Sequence, residues 1–78
     1  MTPDEASNIL KGEQVEVDSS VFTASPQPTG EWIRCRPRFL ESSRGIGGWA
    51  DIMGDRMYVI RDGGDGLYAQ LALIRRPE

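Results

Sequence analysis

Arginine occurs at every second position in one stretch of the chain, at Arg34, Arg36 and Arg38. In an extended strand, side chains two residues apart leave the same face, about 6.5–7 Å from one another. Guanidinium groups at this spacing suit successive phosphates of a nucleic acid or the carboxylates of an acidic partner. The structural alternative is that they pair across a sheet with Glu16 and Asp18 of an earlier strand. The pattern predicts either a basic binding face or a set of cross-strand ion pairs.

A glycine-rich segment, Arg44-Gly45-Ile46-Gly47-Gly48, could present backbone N–H groups to an anion. It lacks the lysine of a P-loop, and no helix clearly follows it. A loop that becomes ordered on binding a partner is the better interpretation. Arg44 is therefore included among the candidate binding residues.

The aromatic residues offer possible anchors for a partner. Trp32 begins a strand on its polar face and Trp49 follows two glycines, so both are candidate anchors. Phe22 lies in a segment rich in Pro and Ser, and Tyr58 precedes a hairpin turn. A cluster of such rings could also hold a methylated lysine or another cation. The structural alternative is that some of these rings only close the core.

The chain is poorly equipped for catalysis or for metal binding. It has no histidine and one cysteine, Cys35, which excludes an intramolecular disulfide, ordinary zinc sites and imidazole catalysis. Cys35 is expected to face the core of its strand. The loop 62–66 offers two carboxylates, too few for calcium. We predict a protein that is not an enzyme and that uses no cofactor and no metal.

Length and charge restrict the function further. The 78 residues make a single domain, 1–78, with one thin core. Twelve acidic and nine basic residues give a net charge of −3, which argues against a general nucleic-acid coat protein. The acids dominate residues 1–31 and the arginines follow, so either the halves pair across a sheet or the surface has distinct acidic and basic faces. No apolar run approaches the ~20 residues of a membrane span, and the first residues are too acidic for a signal peptide, so we expect a cytoplasmic protein without membrane contact.

The periodicity of the sequence predicts the elements that position these residues. Thr2, Pro3 and Glu5 predict a helix start, and Gly12 predicts its end, which gives a helix over 1–11. Alternating residues predict strands over 15–17 and 32–39, with Pro37 at an edge or a bulge, and a brief strand over 49–53. The segment 19–30 reads as a long loop. Runs over 57–61 and 67–74 flank a turn and predict a hairpin. We predict a mainly β fold, a small barrel of four to five antiparallel strands with a short N-terminal helix.

Four segments are similar to the strands of the Tudor/Agenet group of small barrels. They are Gly12-Glu13-Gln14-Val15-Glu16-Val17, Gly30-Glu31-Trp32-Ile33-Arg34-Cys35, residues 57–62, and Leu73-Ile74-Arg75-Arg76-Pro77. The resemblance spans residues 12–77. It implies a binding module for methylated lysine or arginine, or a nucleic-acid-associated protein, with Phe22, Trp32 and Tyr58 on the barrel rim. The segment 40–55 is longer than the usual connection in that group, and the N-terminal helix is an addition. A Src-homology-3-like adaptor barrel would have the same pattern.

Three functions are compatible with these features. The first is a non-catalytic module that binds a protein or peptide through exposed aromatics and the arginine-lined strand. The second is a nucleic-acid-associated module that uses the same arginines and the glycine loop. The third is a small inhibitor, encoded by a phage or mobile element, that blocks a host protein.

Overall fold

An antiparallel sheet of six strands, strongly curled into a half-barrel, forms most of the molecule. The computed structural model describes residues 1–41 and 48–77. The elements in chain order are α1 (Pro3–Ser7), β1 (Val15–Asp18), α2 (Ser20–Thr23), β2 (Trp32–Pro37), β3 (Phe39–Glu41), β4 (Gly48–Ala50), β5 (Ile52–Met53), β6 (Arg56–Arg61), β7 (Gly66–Gln70), a 3-10 helix (Leu71–Leu73) and β8 (Ile74–Arg75). The predicted mainly β fold is confirmed.

The strand order places the last strand beside the first. Across the sheet the order is β5-β6-β2-β1-β8, with β7 also paired to β6, while β3 and β4 form a separate two-stranded sheet. β1 pairs antiparallel with both β2 and β8, so the N-terminal acids meet basic residues from the second half of the chain. Glu16, for example, forms an ion pair with Arg75.

The core consists of the inward residues of the alternating strands together with α1. Its buried apolar members are Ala6, Ile9, Val15, Val17, Cys35, Ala50, Met57, Val59, Ala69, Leu71 and Ile74. Small and β-branched side chains predominate, as the concave face of a tightly curled sheet requires. Cys35 is buried as predicted, and burial raises the pKa of its thiol to about 11, which keeps it protonated and unreactive.

The N-terminal helix is shorter than predicted. Thr2 and Glu5 form the expected reciprocal capping box, but the helix ends at Ser7 and not near residue 11. The Ser7 hydroxyl donates to the backbone carbonyl of Asp4, a local bond that competes with helix propagation. Ile9 nevertheless reaches the core from beyond the helix end.

The segment 19–30 is organised by a buried carboxylate. Asp18 accepts hydrogen bonds from the backbone N–H groups of Ser20, Thr29 and Gly30, at 2.9, 3.0 and 3.0 Å. These bonds hold the pKa of Asp18 well below its usual range, the largest contribution coming from Thr29. The prediction of an irregular loop was wrong for the helical turn α2, which follows Asp18 closely.

The strand predicted over 32–39 is interrupted. β2 ends at Pro37, and the N–H of the next residue, Arg38, donates to the Tyr58 carbonyl. Because successive backbone nitrogens in a strand point to opposite sides, the nitrogen of Pro37 points away from β6. On that side the pairing with β1 has ended at Cys35, so no strand needs a hydrogen bond from Pro37. This confirms the predicted edge position. Beyond Arg38 the chain leaves the main sheet as β3, which pairs with β4.

The last hairpin forms as predicted, but its second strand stops at Gln70. The residues 67–74 form one apolar run in the sequence but not one strand in the structure. Leu71–Leu73 form a 3-10 helix, which redirects the chain so that β8 pairs with β1. Leu71 and Ile74 both remain buried at that turn. Hydrophobicity alone does not distinguish one long strand from two strands on opposite sides of a curled sheet.

Candidate binding surface

The arginines of β2 differ in their surroundings from the one that follows the strand. Arg34 and Arg36 are exposed and form no ion pair with any residue that the structure describes. The cross-strand pairing predicted as the structural alternative does not form. Glu16 lies opposite Arg34 but binds Arg75, with 2.9 Å between the Oε1 and Nε atoms, and Asp18 turns into the segment 19–30. Within the described part of the chain, two positive charges therefore remain uncompensated on the outer face of β2.

Arg38 is exposed but forms an ion pair with the buried carboxylate of Asp51. Its Nε donates to Asp51 at 2.9 Å, and its Nη2 donates to the same carboxylate oxygen. The Tyr68 hydroxyl donates to Asp51 as well, and the Arg38 guanidinium lies 4.0 Å from the centre of the Tyr58 ring. The hydrogen bonds with Asp51 raise the pKa values of both Arg38 and Tyr68. Asp51 accepts hydrogen bonds from both Arg38 and Tyr68 and is only 6% exposed, so the cluster is a structural clamp that joins the β3–β4 hairpin to the half-barrel.

The three predicted rim aromatics lie against three different arginines. The guanidinium of Arg75 lies 4.1 Å from the centre of the Trp32 ring, and that of Arg61 lies 4.8 Å from the Phe22 ring. Tyr58 lies against Arg38 and forms an edge-to-face pair with Tyr68, 5.1 Å between ring centres. Phe22 also packs against the core.

An exposed apolar pair lies on the β3–β4 hairpin. Leu40 and Trp49 are directly opposite one another, with 37% and 51% of their surface exposed. Their neighbours Phe39 and Ala50 form the opposite face of the same hairpin, where Ala50 is buried. Phe39 lies so close to Gly48 that a Cβ there would meet its Cε1 at 2.5 Å. The hairpin thus buries Ala50, leaves Phe39 half-buried, and leaves Leu40 and Trp49 exposed.

A cleft of about 340 Å³ opens beside the end of β2. One wall is the turn 11–13, and the other is formed by residues 36–39, with Ile60 of β6 beside them. Arg36 and Arg38 supply charge to this wall, and Pro37, Phe39 and Ile60 supply apolar surface. Glu13, across the cleft, accepts a hydrogen bond from the Leu10 N–H at 2.6 Å and forms an ion pair with Arg76 at 3.5 Å.

Several predicted features lie elsewhere. Arg44 and most of the glycine-rich segment fall outside the described residues. In the turn of the last hairpin, Asp65 is paired with Arg61. The described residues contain no group of three or more potential metal ligands. No helix in residues 1–41 or 48–77 has the length and apolarity needed to span a bilayer.

The sequence did not single out Asp51, Tyr68, Ile60 or Leu40. The pairing of Tyr58 with Tyr68 could have been found by counting outward from the turn at 62–66. Leu40 and Trp49 also become partners once a hairpin between them is assumed. Asp51 carries no such signal, because its position depends on how that hairpin returns to the sheet. The placement of Ile60 beside Arg36 depends on the pairing of β2 with β6, which no local pattern records.

Comparison with known proteins gives no further assignment: no family model matches the chain, and neither a curated protein nor a solved structure shows significant similarity to it.

Proposed function

We propose that this protein is a non-catalytic module that binds an acidic protein or peptide. Trp49 and Leu40 act as the apolar anchor, and Arg34 and Arg36 attract the partner. The observation that carries the proposal is the exposed Leu40–Trp49 pair, two large apolar side chains directly opposite one another on a hairpin. A partly exposed tryptophan beside an aliphatic side chain offers a large area that only a partner can remove from water.

The charges favour an acidic partner. Arg34 and Arg36 leave the same face of β2 without a compensating carboxylate among the described residues. Uncompensated surface charges of one sign accelerate encounter with a partner of the opposite sign and restrict the choice of partner. The two arginines thus favour acidic partners, whereas the hydrophobic contact with Leu40 and Trp49 does not discriminate by charge.

We further propose that the fold is a small barrel of the Src-homology-3 or Tudor kind. The support is the strand order β8-β1-β2-β6-β7, in which the final short strand lies beside the first after a 3-10 turn. A methyl-lysine cage built from Phe22, Trp32 and Tyr58 has less support, because each ring already carries a different guanidinium group. We therefore favour the hairpin over an aromatic cage as the principal contact.

The experiment is affinity capture from a lysate of the source organism, carried out with and without nuclease, using the wild-type chain and two variants. Trp49→Ala removes the proposed anchor. Met53→Ala removes another exposed apolar side chain, 64% exposed, and serves as the matched control. We expect the same partner with the wild type and with Met53→Ala, its loss with Trp49→Ala, and a free energy of unfolding within about 0.5 kcal/mol of the wild type for both variants.

Two results would contradict this function. If Trp49→Ala lowers stability to the extent that it lowers capture, Trp49 is a packing residue. If capture is independent of Trp49, or the captured proteins disappear on nuclease treatment, the hairpin is not the anchor.

A nucleic-acid-associated module is the second candidate, and the two uncompensated arginines of β2 favour it. If Arg34 and Arg36 each neutralise one phosphate, the logarithm of the binding constant falls against the logarithm of salt concentration with a slope of about −1.4 to −1.8. Binding of a single-stranded oligonucleotide that is insensitive to salt, or no binding at low salt, would exclude this candidate.

A further inference from the structure

We propose that the cleft beside β2 is the subsite for an acidic side chain of the partner, best filled by glutamate. The inference rests on the proposed function and assigns the ligand chemistry of one part of its surface. The cleft has room for one side chain and its adjoining backbone, and it joins a guanidinium group to an apolar wall.

Four charged residues line the cleft, namely Lys11, Glu13, Arg36 and Arg38, and the proposed subsite depends on Arg36. Arg38 lines the same wall, but its charge is balanced by Asp51. Glu13 lies on the opposite wall and is balanced by Arg76. Arg36 forms no ion pair with a described residue, so it gives the cleft an uncompensated positive charge. Its planar guanidinium can bind a carboxylate through two parallel hydrogen bonds.

The apolar wall distinguishes a glutamate side chain from a bare anion. Ile60 lies directly opposite Arg36 in the pairing of β2 with β6, and Pro37 and Phe39 complete this wall. The two methylene groups of a glutamate can pack there while its carboxylate reaches Arg36. A phosphate group has no aliphatic part that could pack against this surface.

The strand provides a matched control within itself. Arg34 is exposed, lacks an ion pair among the described residues and lies on the same face of β2, but it does not line the cleft. Arg34→Gln and Arg36→Gln therefore remove the same charge from the same strand. Only Arg36→Gln removes it from the proposed subsite.

The test is an NMR titration of the full ¹⁵N-labelled chain with N-acetylglutamate N-methylamide, and with the glutamine analogue as the neutral isostere. We expect saturable shifts of the Arg36, Phe39 and Ile60 amides with the glutamate probe. Affinity should fall about tenfold or more for the glutamine probe and for Arg36→Gln, and should be unchanged for Arg34→Gln. Amide shifts far from the cleft show whether each variant retains the fold.

The contrary results are distinct. Equal affinity for the two probes, equal affinity in Arg36→Gln, or no saturable shift would overturn the subsite. Inorganic phosphate binding more tightly than the glutamate probe, and weakened equally by Arg34→Gln and Arg36→Gln, would replace it with a phosphate-binding face. Capture of a partner that depends on Trp49 but is retained by Arg36→Gln would overturn the subsite and leave the proposed function standing.

Discussion

The Tyr68 hydroxyl donates to the Asp51 carboxylate, 3.1 Å from one oxygen and 3.0 Å from the other. Asp51 stands between β4 and β5, and Tyr68 lies on β7, so this contact joins the small hairpin to the far side of the main sheet. The backbone of Asp51 extends the connection, since its N–H donates to the Arg38 carbonyl and its carbonyl accepts from the Tyr58 N–H, both at 2.9 Å. The base of the proposed binding hairpin is therefore fixed to several parts of the half-barrel.

We expect Tyr68 to titrate above the usual tyrosine range near 10. The hydrogen bond to Asp51 is the largest cause of its raised pKa, followed by burial. Ultraviolet titration in a Tyr58→Phe background reports Tyr68 alone, since the chain has two tyrosines. Asp51→Asn should move this titration down toward the ordinary value.

The sign of the linked stability follows from the raised pKa. The contribution of Tyr68 is fully present below about pH 10 and is lost as pH rises through the folded-state value. An Asp51→Asn variant should therefore lose less stability between neutral and strongly alkaline pH than the wild type. Identical alkaline titrations in the two proteins would show that Asp51 does not control Tyr68.

Local sequence signals identified the last hairpin and the capping box but not the clamp. The Asp-Gly-rich turn 62–66 fixes which residues of β6 and β7 are opposite one another, because register follows from counting outward from a turn. The Arg38–Asp51 contact spans 13 residues and two changes of sheet, so no local period records it. The alternating arginines correctly indicated that Arg34 and Arg36 lie on one face of a strand. The pattern did not indicate which of the three arginines would form an ion pair with a carboxylate.

Acid should destabilise the protein through Asp18. Its pKa is depressed by three backbone N–H donors, so its contribution is present above the ordinary aspartate value of about 3.9 and is lost as pH falls below it. Asp18→Asn should lower stability at neutral pH and lose less on acidification than the wild type. Urea unfolding at about pH 7 and about pH 3 measures both effects.

Asp65→Asn is the control for that experiment. Asp65 is 83% exposed in its side chain and belongs to a surface ion pair with Arg61. We expect this variant to follow the wild type at both pH values, because exposed pairs contribute little. An equal response of Asp18→Asn and Asp65→Asn would mean that the buried carboxylate does not organise the segment 19–30.

The close approach of Tyr58 to Gly66 should make position 66 intolerant of a side chain. A Cβ at Gly66 would lie 2.6 Å from Cε1 of Tyr58 and 2.8 Å from its hydroxyl oxygen. Tyr58 cannot readily yield, because Arg38 covers one face of its ring and Tyr68 meets it edge to face. We expect Gly66→Ala to cost about 1–3 kcal/mol in free energy of unfolding, as overpacked sites do.

A double-mutant cycle separates this clash from backbone strain. Tyr58→Ala removes the obstructing ring, so Gly66→Ala should cost at least about 1 kcal/mol less in the Tyr58→Ala background than in the wild type. Gly64→Ala is the comparison: Gly64 has a φ of +103°, and a Cβ at this position would meet nothing within 4 Å, so its cost is backbone strain. That cost should be the same with and without the Tyr58 ring. If Gly66→Ala, like Gly64→Ala, costs the same free energy of unfolding with and without the Tyr58 ring, Tyr58 moves aside freely. The rigid support that we assign to the β3–β4 hairpin would then be absent.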